Sequence, residues 1–378
     1  MASKLIVDGW LLRQGGYGLA TFARTLVEGL AGSDIWERVS VAIPAGSEAT
    51  VPGGVRTISL RSPAIAGGVI GEAIWQDRLG RFLRDQHPED LLLAPAPFYS
   101  FAPARRSIVV CHDLIPDQFP RYLGRFLYRR WLYNARLRWL RDATCVVTDS
   151  TFTASQLRAR LEAHAPDIVS IPLWTPLADS PPPSPAARQA VQARYGLPAR
   201  YWLYVGGYDY RKNVEVLIDA YGRVARSIEC PALVLAGHIP RDSSKPVCDV
   251  SGALQRAQIA TERVCCPGHV AAGDLAAVYA GAELFIYPSL SEGFGLPPVE
   301  AMSCGCPAIV ADTTSLPEVV TDEGYRFPPG DAERLAEMLR SAAGSPWPLK
   351  PGFDRSLYGQ TRGIRDYLRV IERVDRHA

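Results

Sequence analysis

The chain has 378 residues, with 41 Lys or Arg against 39 Asp or Glu, so its formal net charge is +2. Near-neutrality excludes a strongly basic nucleic-acid-binding protein, and the length favours two domains over one. The hydrophobic fraction of 47% is that of an ordinary water-soluble globular protein, and no apolar run reaches membrane-spanning length.

The start of the chain and its cysteines indicate a cellular compartment. The chain enters a predicted strand at Lys4–Val7 without the apolar region of a signal peptide. Its eight cysteines are scattered and contain no C-x-x-C pair, which argues against a zinc site. Several lie in apolar runs, as buried free thiols do. We therefore predict a reduced, cytoplasmic protein.

Short apolar runs bounded by Gly, Pro and polar residues predict a parallel α/β sheet in the first half of the chain. The predicted strands are Lys4–Val7, Val39–Ile43, Val55–Leu60, Leu91–Ala94, Ser107–Cys111, Ala143–Thr148 and Ile168–Pro172. Leu19–Leu30 is predicted to be an amphipathic helix with Leu19 and Phe22 on its apolar face, and Glu72–Gln86 a second helix.

A glycine-rich loop joins the first predicted strand to the first predicted helix. It spans residues 8–18 and contains Gly15 and Gly16. Such a loop can cradle a phosphate with its backbone N–H groups. A tight turn that needs positive φ would select the same glycines. The spacing fits neither a G-x-G-x-x-G motif nor a P-loop, so both interpretations stay open on the residues alone.

A His-Asp pair, His112 and Asp113, directly follows the predicted strand Ser107–Cys111. The carboxyl ends of parallel strands form the ligand-binding edge of an α/β sheet. At that edge a histidine can donate a hydrogen bond or carry a proton. The alternative is a histidine whose ring is satisfied by local backbone groups.

The stretch 118–142 combines seven arginines with seven aromatic residues and has no acidic residue before Asp142. We predict that it is an amphipathic helix. One interpretation is a helix packed by its aromatic side chains, with solvated arginines. The other is a surface that contacts an anionic membrane or an acidic acceptor.

A proline-rich segment, residues 179–187, is the predicted linker between domains. It places a first domain at 1–178 and a second at 188–350. Residues 351–378 then form a predicted terminal helix. In the second domain the strand Tyr201–Val205 precedes Gly206, Gly207 and the run Arg211-Lys212-Asn213. A basic pair at a strand–glycine–helix junction suits a diphosphate, although two solvated cations would have the same spacing.

The segment 284–320 predicts a strand, a loop of small residues, a helix and a further strand. Glu292 lies in the loop and Glu300 in the first turns of the helix, with Gly293 and Gly295 between them. These glycines allow close approach of the backbone to a ligand, and the helix N-terminus attracts an anion. A surface acid in a loop and a solvated acid on a helix are the alternative.

The run from Glu292 to Glu300, Glu-Gly-Phe-Gly-Leu-Pro-Pro-Val-Glu, resembles the E-x7-E motif of the family 4 retaining nucleotide-sugar glycosyltransferases. These enzymes have the GT-B fold, two doubly wound Rossmann-like α/β domains that face each other across a cleft. The Gly-x-x-x-x-Arg-Lys-Asn run and the phrase His-Asp-Leu-Ile-Pro, residues 112–116, resemble further motifs of the same family. The resemblance covers most of the chain.

The resemblance implies a role for each candidate residue. Glu292 would hold sugar hydroxyls, Glu300 the ribose, and Arg211 and Lys212 the diphosphate. His112 would approach the transferred sugar, supported by Asp113. The remaining donor-binding positions that it implies are Gly15, Gly16, Gly207, Asn213, Gly237, His269, Val270, Gly293, Phe294, Gly295 and Leu296. His269 and Val270 belong to the segment that cups the nucleotide base.

The implied activity is transfer of a sugar from a nucleoside-diphosphate donor, with retention at the anomeric carbon and without a metal or other cofactor. The acceptor-side domain is the first, and the terminal helix crosses back to it. His-Asp-Leu-Ile-Pro favours GDP-mannose as donor, and a glycan or lipid-linked saccharide as acceptor. If the acceptor is lipid-linked, the protein is expected to act peripherally at the inner face of the membrane. A GT-B epimerase or hydrolase and a non-catalytic sugar-nucleotide-binding protein remain the alternatives.

Overall fold

A computed structural model of the chain describes residues 3–13, 18–61, 68–97, 100–124, 127–237, 247–345, 347 and 353–376. The chain divides into two compact units. The first contains Met1–Leu114, Arg125–Pro172 and Gln360–Ala378, and the second contains Ile115–Gly124 and Leu173–Gly359. The main change of unit thus falls at Pro172, ahead of the predicted linker at 179–187, whose last residues already belong to a helix.

The strands of the described residues are β1 Leu5–Asp8, β2 Val39–Pro44, β3 Arg56–Leu60, β4 Leu91–Ala94, β5 Ser107–Cys111, β6 Cys145–Thr148, β7 Asp167–Ser170, β8 Tyr201–Val205, β9 Ala232–Ala236, β10 Val264–Gly268, β11 Leu284–Tyr287, β12 Ala308–Ala311 and β13 Arg326–Phe327. The helices are α1 Leu19–Ala31, α2 Val69–Gln86, α3 Ile115–Gln118, α4 Leu127–Trp139, α5 Thr151–Leu161, α6 Pro176–Asp179, α7 Pro185–Tyr195, α8 Val214–Ala225, α9 Val250–Arg256, α10 Ala272–Gly281, α11 Leu296–Ser303, α12 Leu316–Val319, α13 Ala332–Gly344 and α14 Gln360–Arg376.

The first unit is built on a seven-stranded parallel sheet in the order β3-β2-β1-β4-β5-β6-β7. Its inner strands β1, β4, β5 and β6 are buried along their whole length, whereas the edge strand β3 is largely exposed. A parallel sheet that is covered on both faces needs inner strands made of continuous apolar runs. An edge strand is partly exposed and can contain polar residues.

The second unit has a six-stranded parallel sheet in the order β10-β9-β8-β11-β12-β13. The chain passes from β8 outward to β9 and β10, then returns to place β11 on the other side of β8. The carboxyl ends of β8 and β11 therefore flank the point where strand order reverses. In open α/β sheets that point is the usual position of a ligand site.

Helix α14 packs on α1 within the first unit and begins at Gln360, several residues later than predicted. The two helices approach closely at Gly29, where an added Cβ would lie 2.3 Å from Cγ1 of Ile364. The apolar face of α1 was predicted correctly at Phe22, which is buried, but not at Leu19, which is 44% exposed. Leu19 is the first residue of α1, and the buried residues of the helix begin at Ala20.

The stretch 118–142 is not one helix, which corrects the prediction. Gly124 has a φ of 69°, and a 3-10 turn at Pro120–Leu123 lies before it. A left-handed glycine ends helical geometry. The part up to Gly124 belongs to the second unit, and helix α4 to the first. Arg125 and Phe126 lie outside the described residues.

Candidate functional site

A buried cluster of charges lies where β8 and β11 end. The loop after β8 carries Arg211 and Lys212, and the loop after β11 carries Glu292. Nη1 of Arg211 donates to Oε2 of Glu292 at 2.7 Å, and Nζ of Lys212 donates to Oε1 at 2.7 Å. One carboxylate therefore holds both cations. The sequence analysis gave these three residues separate ligand contacts, and the structure shows that their side chains also contact one another.

Further contacts fix each cation. Nη1 of Arg211 also donates to the carbonyl oxygen of Ser291 at 2.7 Å. Nζ of Lys212 also donates to the hydroxyl of Tyr287 at 2.6 Å. An ammonium group has three N–H donors, so Lys212 keeps one for a ligand after these two bonds. The side chains of Arg211 and Lys212 are 14% and 12% exposed, so a ligand anion would meet them with little competing water.

The surroundings shift the pKa of the Glu292 carboxyl strongly. Burial by itself would raise it, but the charges of Lys212 and Arg211 outweigh burial and lower the pKa of Glu292 to about 2. Burial also lowers the pKa of Lys212, with the Glu292 carboxylate acting in the opposite direction. Glu292 is therefore an anion throughout the neutral range, and it acts as a hydrogen-bond acceptor rather than as an acid.

The loop that carries Glu292 is held by backbone and hydroxyl groups. The Glu292 N–H donates to Oγ1 of Thr314 at 3.1 Å, and Oγ of Ser315 donates to the carbonyl oxygens of Glu292 and Phe294 at 3.0 and 2.9 Å. The N–H of Leu290 donates to the Arg211 carbonyl at 2.8 Å, so the two loops are also joined through their backbones. The site is thus positioned before any ligand binds.

Glu300 occupies a different environment on α11. Tyr279 donates to its Oε2 at 3.0 Å and Thr175 to its Oε1 at 3.5 Å. Burial raises the pKa of Glu300 to about 7, although both hydrogen bonds act to lower it. The two acids of the E-x7-E motif therefore differ in charge near neutral pH, because one faces two cations and the other faces only hydroxyl groups.

Glycines shape the backbone around these side chains. Gly237 has a φ of 143°, and an added Cβ would lie 2.0 Å from the carbonyl oxygen of Gly206. Gly295 has a φ of 99° immediately before α11, and its Cβ would meet Leu316 at 2.5 Å. Pro297 and Pro298 follow in the first turn and carry no N–H, so α11 offers fewer amide donors than a regular helix N-terminus.

The other predicted donor-binding residues of this unit lie on the same edge of the sheet or in the loops that follow its strands. Asn213 adopts a left-handed conformation with a φ of 52° between the basic pair and α8. Phe294 is buried, Gly207 and His269 are exposed, and Val270 is buried just after the edge strand β10. Gly293 and Leu296 are half-buried beside Glu292 and at the start of α11.

His112 lies in the first unit, where β4, β5 and β6 end side by side. Its Nδ1 is 2.7 Å from Oδ2 of Asp149, and its Nε2 is 2.8 Å from the carbonyl oxygen of Pro95. Burial alone would lower the pKa of His112, but the Asp149 carboxylate and the two hydrogen bonds raise it above its ordinary value. Both ring nitrogens face oxygen atoms, an arrangement that favours the doubly protonated ring. Burial also raises the pKa of Asp149, and the charge and hydrogen bond of His112 act against that rise.

Asp113 does not share that environment with Asp149: it is half-buried, and its carbonyl oxygen accepts from Sγ of Cys111 at 3.7 Å. Gly15 and Gly16 lie outside the described residues. In the described residues no three His, Cys, Asp or Glu side chains are grouped to hold a metal ion.

Sequence reasoning missed several residues of these two clusters. Tyr287 and Thr314 contact the Lys212–Glu292 pair, and Asp149 pairs with His112. Tyr122 and Asp209 contact Arg211. Their signal in the sequence is weak. Tyr287 ends a predicted strand, Tyr122 lies in the stretch predicted as a helix, and the other three lie in loops or follow a predicted strand. Only the strand order shows which of these segments meet.

Two parallel α/β sheets, one with a cluster of opposite charges at its switch point, are the architecture of the GT-B glycosyltransferases. Residues 192–348 match the family "Glycosyl transferases group 1", and this part of the chain is a domain of that family. The chain is 33% identical over 244 residues to the O-antigen chain mannosyltransferase B of Escherichia coli, a match that covers 64% of this chain and 60% of that protein. It is 30% identical over 247 residues to the serotype-specific mannosyltransferase WbdA of Escherichia coli. That second match covers 63% of this chain and 29% of WbdA.

Solved structures confirm the predicted GT-B fold. The sucrose-phosphate synthase of Thermosynechococcus elongatus matches over 100% of both chains with a TM-score of 0.77 and 21% identity. Anabaena HepE, solved in complex with UDP and glucose, matches over 100% of this chain and 98% of that one, with a TM-score of 0.64 and 17% identity. The glycosyltransferase WaaG, involved in lipopolysaccharide biosynthesis, matches with a TM-score of 0.67, 16% identity and coverage of 96% and 95%.

Proposed function

We propose that this protein is a metal-independent, retaining glycosyltransferase of family 4 that transfers mannose from GDP-mannose to a saccharide acceptor. The observation that carries the proposal is the pairing of Arg211 and Lys212 with Glu292 at the switch point of the second sheet. This cluster lies inside the residues that match the glycosyl transferases group 1 family. The choice of mannose rests on the mannosyltransferase names of the relatives.

The chemical difficulty of the reaction is the charge that develops on the departing diphosphate. A basic pair that is already fixed and poorly hydrated stabilises this charge without reorganisation. In the proposed complex the free N–H of Lys212 and the guanidinium of Arg211 contact the diphosphate, while Glu292 accepts from sugar hydroxyls. Glu300 accepts from the ribose. The acceptor attacks on the face that the leaving group occupies, and the diphosphate takes the acceptor proton, so no side chain serves as nucleophile.

His112 has a separate role in this proposal. Its ring is oriented by Asp149, and its Nε2–H donates to the Pro95 carbonyl. A sugar hydroxyl can take over that donor when substrate binds. His112 then orients the transferred sugar through a hydrogen bond, and the raised pKa of His112 favours the stronger, charge-assisted form of that bond. Asp113, the next residue, would support that contact from the end of β5.

A lipid-linked acceptor would bring the protein to an anionic membrane surface, and the first unit has a suitable face. Helices α2 and α4 border a groove of about 370 Å³ that is lined mainly by apolar side chains. Ile70, Phe101, Tyr128 and Trp131 line it while being 54%, 61%, 42% and 58% exposed. Arg129 and Arg130, which stand between the lining residues Tyr128 and Trp131 in the sequence, are exposed. In the described part of the chain no helix has the length and apolarity of a membrane span.

The test of the proposed function is a donor panel read by release of free nucleotide. We expect GDP-mannose to be turned over in the presence of a mannoside acceptor such as methyl α-mannoside. Retention would be established by the one-bond C1–H1 NMR coupling at the new anomeric centre, which distinguishes α- from β-mannosides. Donor consumption without an acceptor product would instead indicate a hydrolase or epimerase. Donor binding without any turnover would indicate a sugar-nucleotide-binding protein.

Replacement of Lys212 tests whether the charge cluster of Arg211, Lys212 and Glu292 takes part in the reaction. Lys212→Ala should lower kcat by roughly a hundredfold or more, with a smaller effect on the donor KM, because the ammonium acts mainly on charge that grows in the transition state. Lys4→Ala, an exposed lysine at the start of β1, is the matched control. A folded Lys212→Ala protein with unchanged kcat would remove Lys212 from the mechanism.

A further inference from the structure

A ten-residue segment of the chain, Ile115–Gly124, leaves the first unit and packs as part of the second. We call it the strap. It begins three residues after His112 and consists of helix α3 and the 3-10 turn Pro120–Leu123. Its sequence is Ile-Pro-Asp-Gln-Phe-Pro-Arg-Tyr-Leu-Gly, and the part from Gln118 onward was predicted as the start of a long helix. The strap instead contacts the loop that carries the basic pair.

Tyr122 makes the polar contacts of the strap with that loop. Its hydroxyl donates to Oδ1 of Asp209 and accepts from the backbone N–H of Arg211 at 3.3 Å. Phe119 adds an aromatic contact, since its ring lies edge-on to Tyr210 with centroids 6.1 Å apart. One hydroxyl thus ties together the two residues that bracket Tyr210.

Asp209 connects this hydroxyl to the charge cluster. Its Oδ1 lies 3.5 Å from Nε of Arg211, whose Nη1 in turn holds Glu292. The side chains of Asp209 and Arg211 are 21% and 14% exposed, so the arrangement is shielded from bulk water. Burial and the hydrogen bond to Asp209 raise the pKa of Tyr122 to about 12. The hydroxyl therefore keeps its proton and remains a donor across the neutral range.

We propose that Tyr122 is a positioning residue for the diphosphate-binding pair: it holds Asp209 and the Arg211 backbone so that the guanidinium is aimed at the ligand phosphates. This inference rests on the proposed function in that it takes the ligand of Arg211 to be a nucleoside diphosphate. Without the Tyr122 hydroxyl, Asp209 loses a hydrogen-bond donor and becomes a stronger competitor for Arg211. The diphosphate would then meet a cation that is already neutralised.

The strap starts within the run 112–116. His112 directly follows β5, and Tyr122 lies ten positions later in the chain. Within the second unit, the Tyr122 hydroxyl contacts Asp209 and Arg211 of the run 206–213.

The experiment compares Tyr122→Phe with Tyr210→Phe. Both substitutions remove one hydroxyl and keep the ring; Tyr210 is 49% exposed and serves as the matched control. Isothermal calorimetry measures the affinity for GDP, for UDP and for the corresponding nucleosides. We expect Tyr122→Phe to weaken diphosphate binding about tenfold, the loss typical of one hydrogen bond to a charged group. Nucleoside affinity should change by less than about twofold in both variants.

A second arm tests the route through Asp209. In an Asp209→Asn background the competing charge is gone, so Tyr122→Phe should weaken diphosphate binding by no more than about threefold. Equal diphosphate affinity in Tyr122→Phe and the wild type, or equal losses for diphosphate and nucleoside, would overturn the positioning role. A wild-type protein that binds GDP or UDP but turns over no donor would overturn the transferase proposal and leave the binding comparison valid. A wild type that binds neither diphosphate would overturn both.

Discussion

Two glutamates of one motif, Glu292 and Glu300, differ in the sign of their pKa shifts. Glu292 has its pKa lowered to about 2 by two cations, and Glu300 has its pKa raised to about 7 by burial. The ordinary value for both is 4.5. The first shift means that ionised Glu292 stabilises the fold above pH 4.5, a contribution lost as the pH falls toward 2. The second means that ionised Glu300 destabilises the fold progressively from pH 4.5 to about 7.

Glu300→Gln should therefore raise the thermal midpoint at pH 8, where the wild-type carboxyl is charged, and change it little at pH 5. The same substitution should weaken nucleotide affinity, because an ionised carboxylate accepts the ribose hydroxyls more strongly than an amide does. Melting curves at the two pH values and calorimetry with GDP measure both effects. Glu262→Gln, in an exposed 3-10 turn, is the control. A Glu300→Gln protein that melts below the wild type at pH 8 would contradict the raised pKa.

Glu292→Gln should behave in the opposite way. It leaves two buried cations without their carboxylate, so the free energy of unfolding at pH 7 should fall by about 3 kcal/mol. Turnover should be lost while GDP still binds, because removal of a negative charge leaves the basic pair more attractive to a diphosphate. Urea titrations and calorimetry check these outcomes. Loss of GDP binding in Glu292→Gln, with binding kept in Glu300→Gln, would show that the two roles are reversed.

At the scale of elements, the contact between α1 and α14 decides how the end of the chain is held. Gly29 lies under Ile364, which is 7% exposed, and an added methyl group would lie 2.3 Å from its Cγ1. Alanine is favoured over glycine within a helix by about 1 kcal/mol. The steric overlap between the added methyl group and Ile364 opposes this gain, because overpacking of a buried contact typically costs about 1–3 kcal/mol.

Gly29→Ala should accordingly destabilise the protein by about 1 kcal/mol, measured by urea unfolding. Gly273→Ala in α10 is the matched control, because nothing lies within 4 Å of its added Cβ, and it should be neutral or stabilising. Ile364→Ala combined with Gly29→Ala should cost less than the sum of the two single changes, since the new methyl group fills space that Ile364 vacates. If the free-energy changes of the two substitutions were strictly additive, the methyl group added at position 29 would not be in contact with Ile364, and the steric explanation would be wrong.

At the scale of the whole molecule, membrane association depends on the exposed face of the first unit. Arg136, one of the seven arginines of the stretch 118–142, contributes little to that face, because its Nη2 pairs with Glu72 at 2.8 Å and its side chain is only 19% exposed. Arg129, Arg130 and Arg138 are exposed on α4, and Trp131 beside the groove is 58% exposed. Each exposed arginine contributes about 1 kcal/mol at most near an anionic surface, and salt screens it.

We expect weak, salt-sensitive sedimentation with phosphatidylserine-containing vesicles and little with phosphatidylcholine alone. Arg129→Glu/Arg130→Glu/Arg138→Glu should abolish it, and Trp131→Ala should weaken it, while GDP affinity stays unchanged. Arg188→Glu/Arg334→Glu/Arg340→Glu, on α7 and α13 of the second unit, is the charge-matched control. Wild-type protein that stays in the supernatant at low salt would show that α4 is only a packed helix with solvated arginines.

Much of the architecture could be predicted because its causes are local. Strands such as Leu91–Ala94 and Leu284–Tyr287 are short apolar runs closed by polar or proline residues, and the structure confirms their bounds. Helix Val214–Ala225 follows from a 3.6-residue apolar period. Helix α7 was missed although its alanines, arginines and glutamines favour a helix, because its first residues were assigned to the proline-rich linker. The long helix predicted across Gly124 failed because one left-handed glycine outweighs the propensities around it.

The sequence by itself determined the kind of fold, the E-x7-E run and the basic pair, since these depend on residues that are neighbours in the chain. Only the tertiary structure decided that Glu292 pairs with both Arg211 and Lys212, that Asp149 pairs with His112, and that Tyr122 contacts Asp209. These partners are separated by 37 to 87 positions. No local period or propensity encodes such pairs, because they form only when the order of strands in a sheet brings distant loops to one edge.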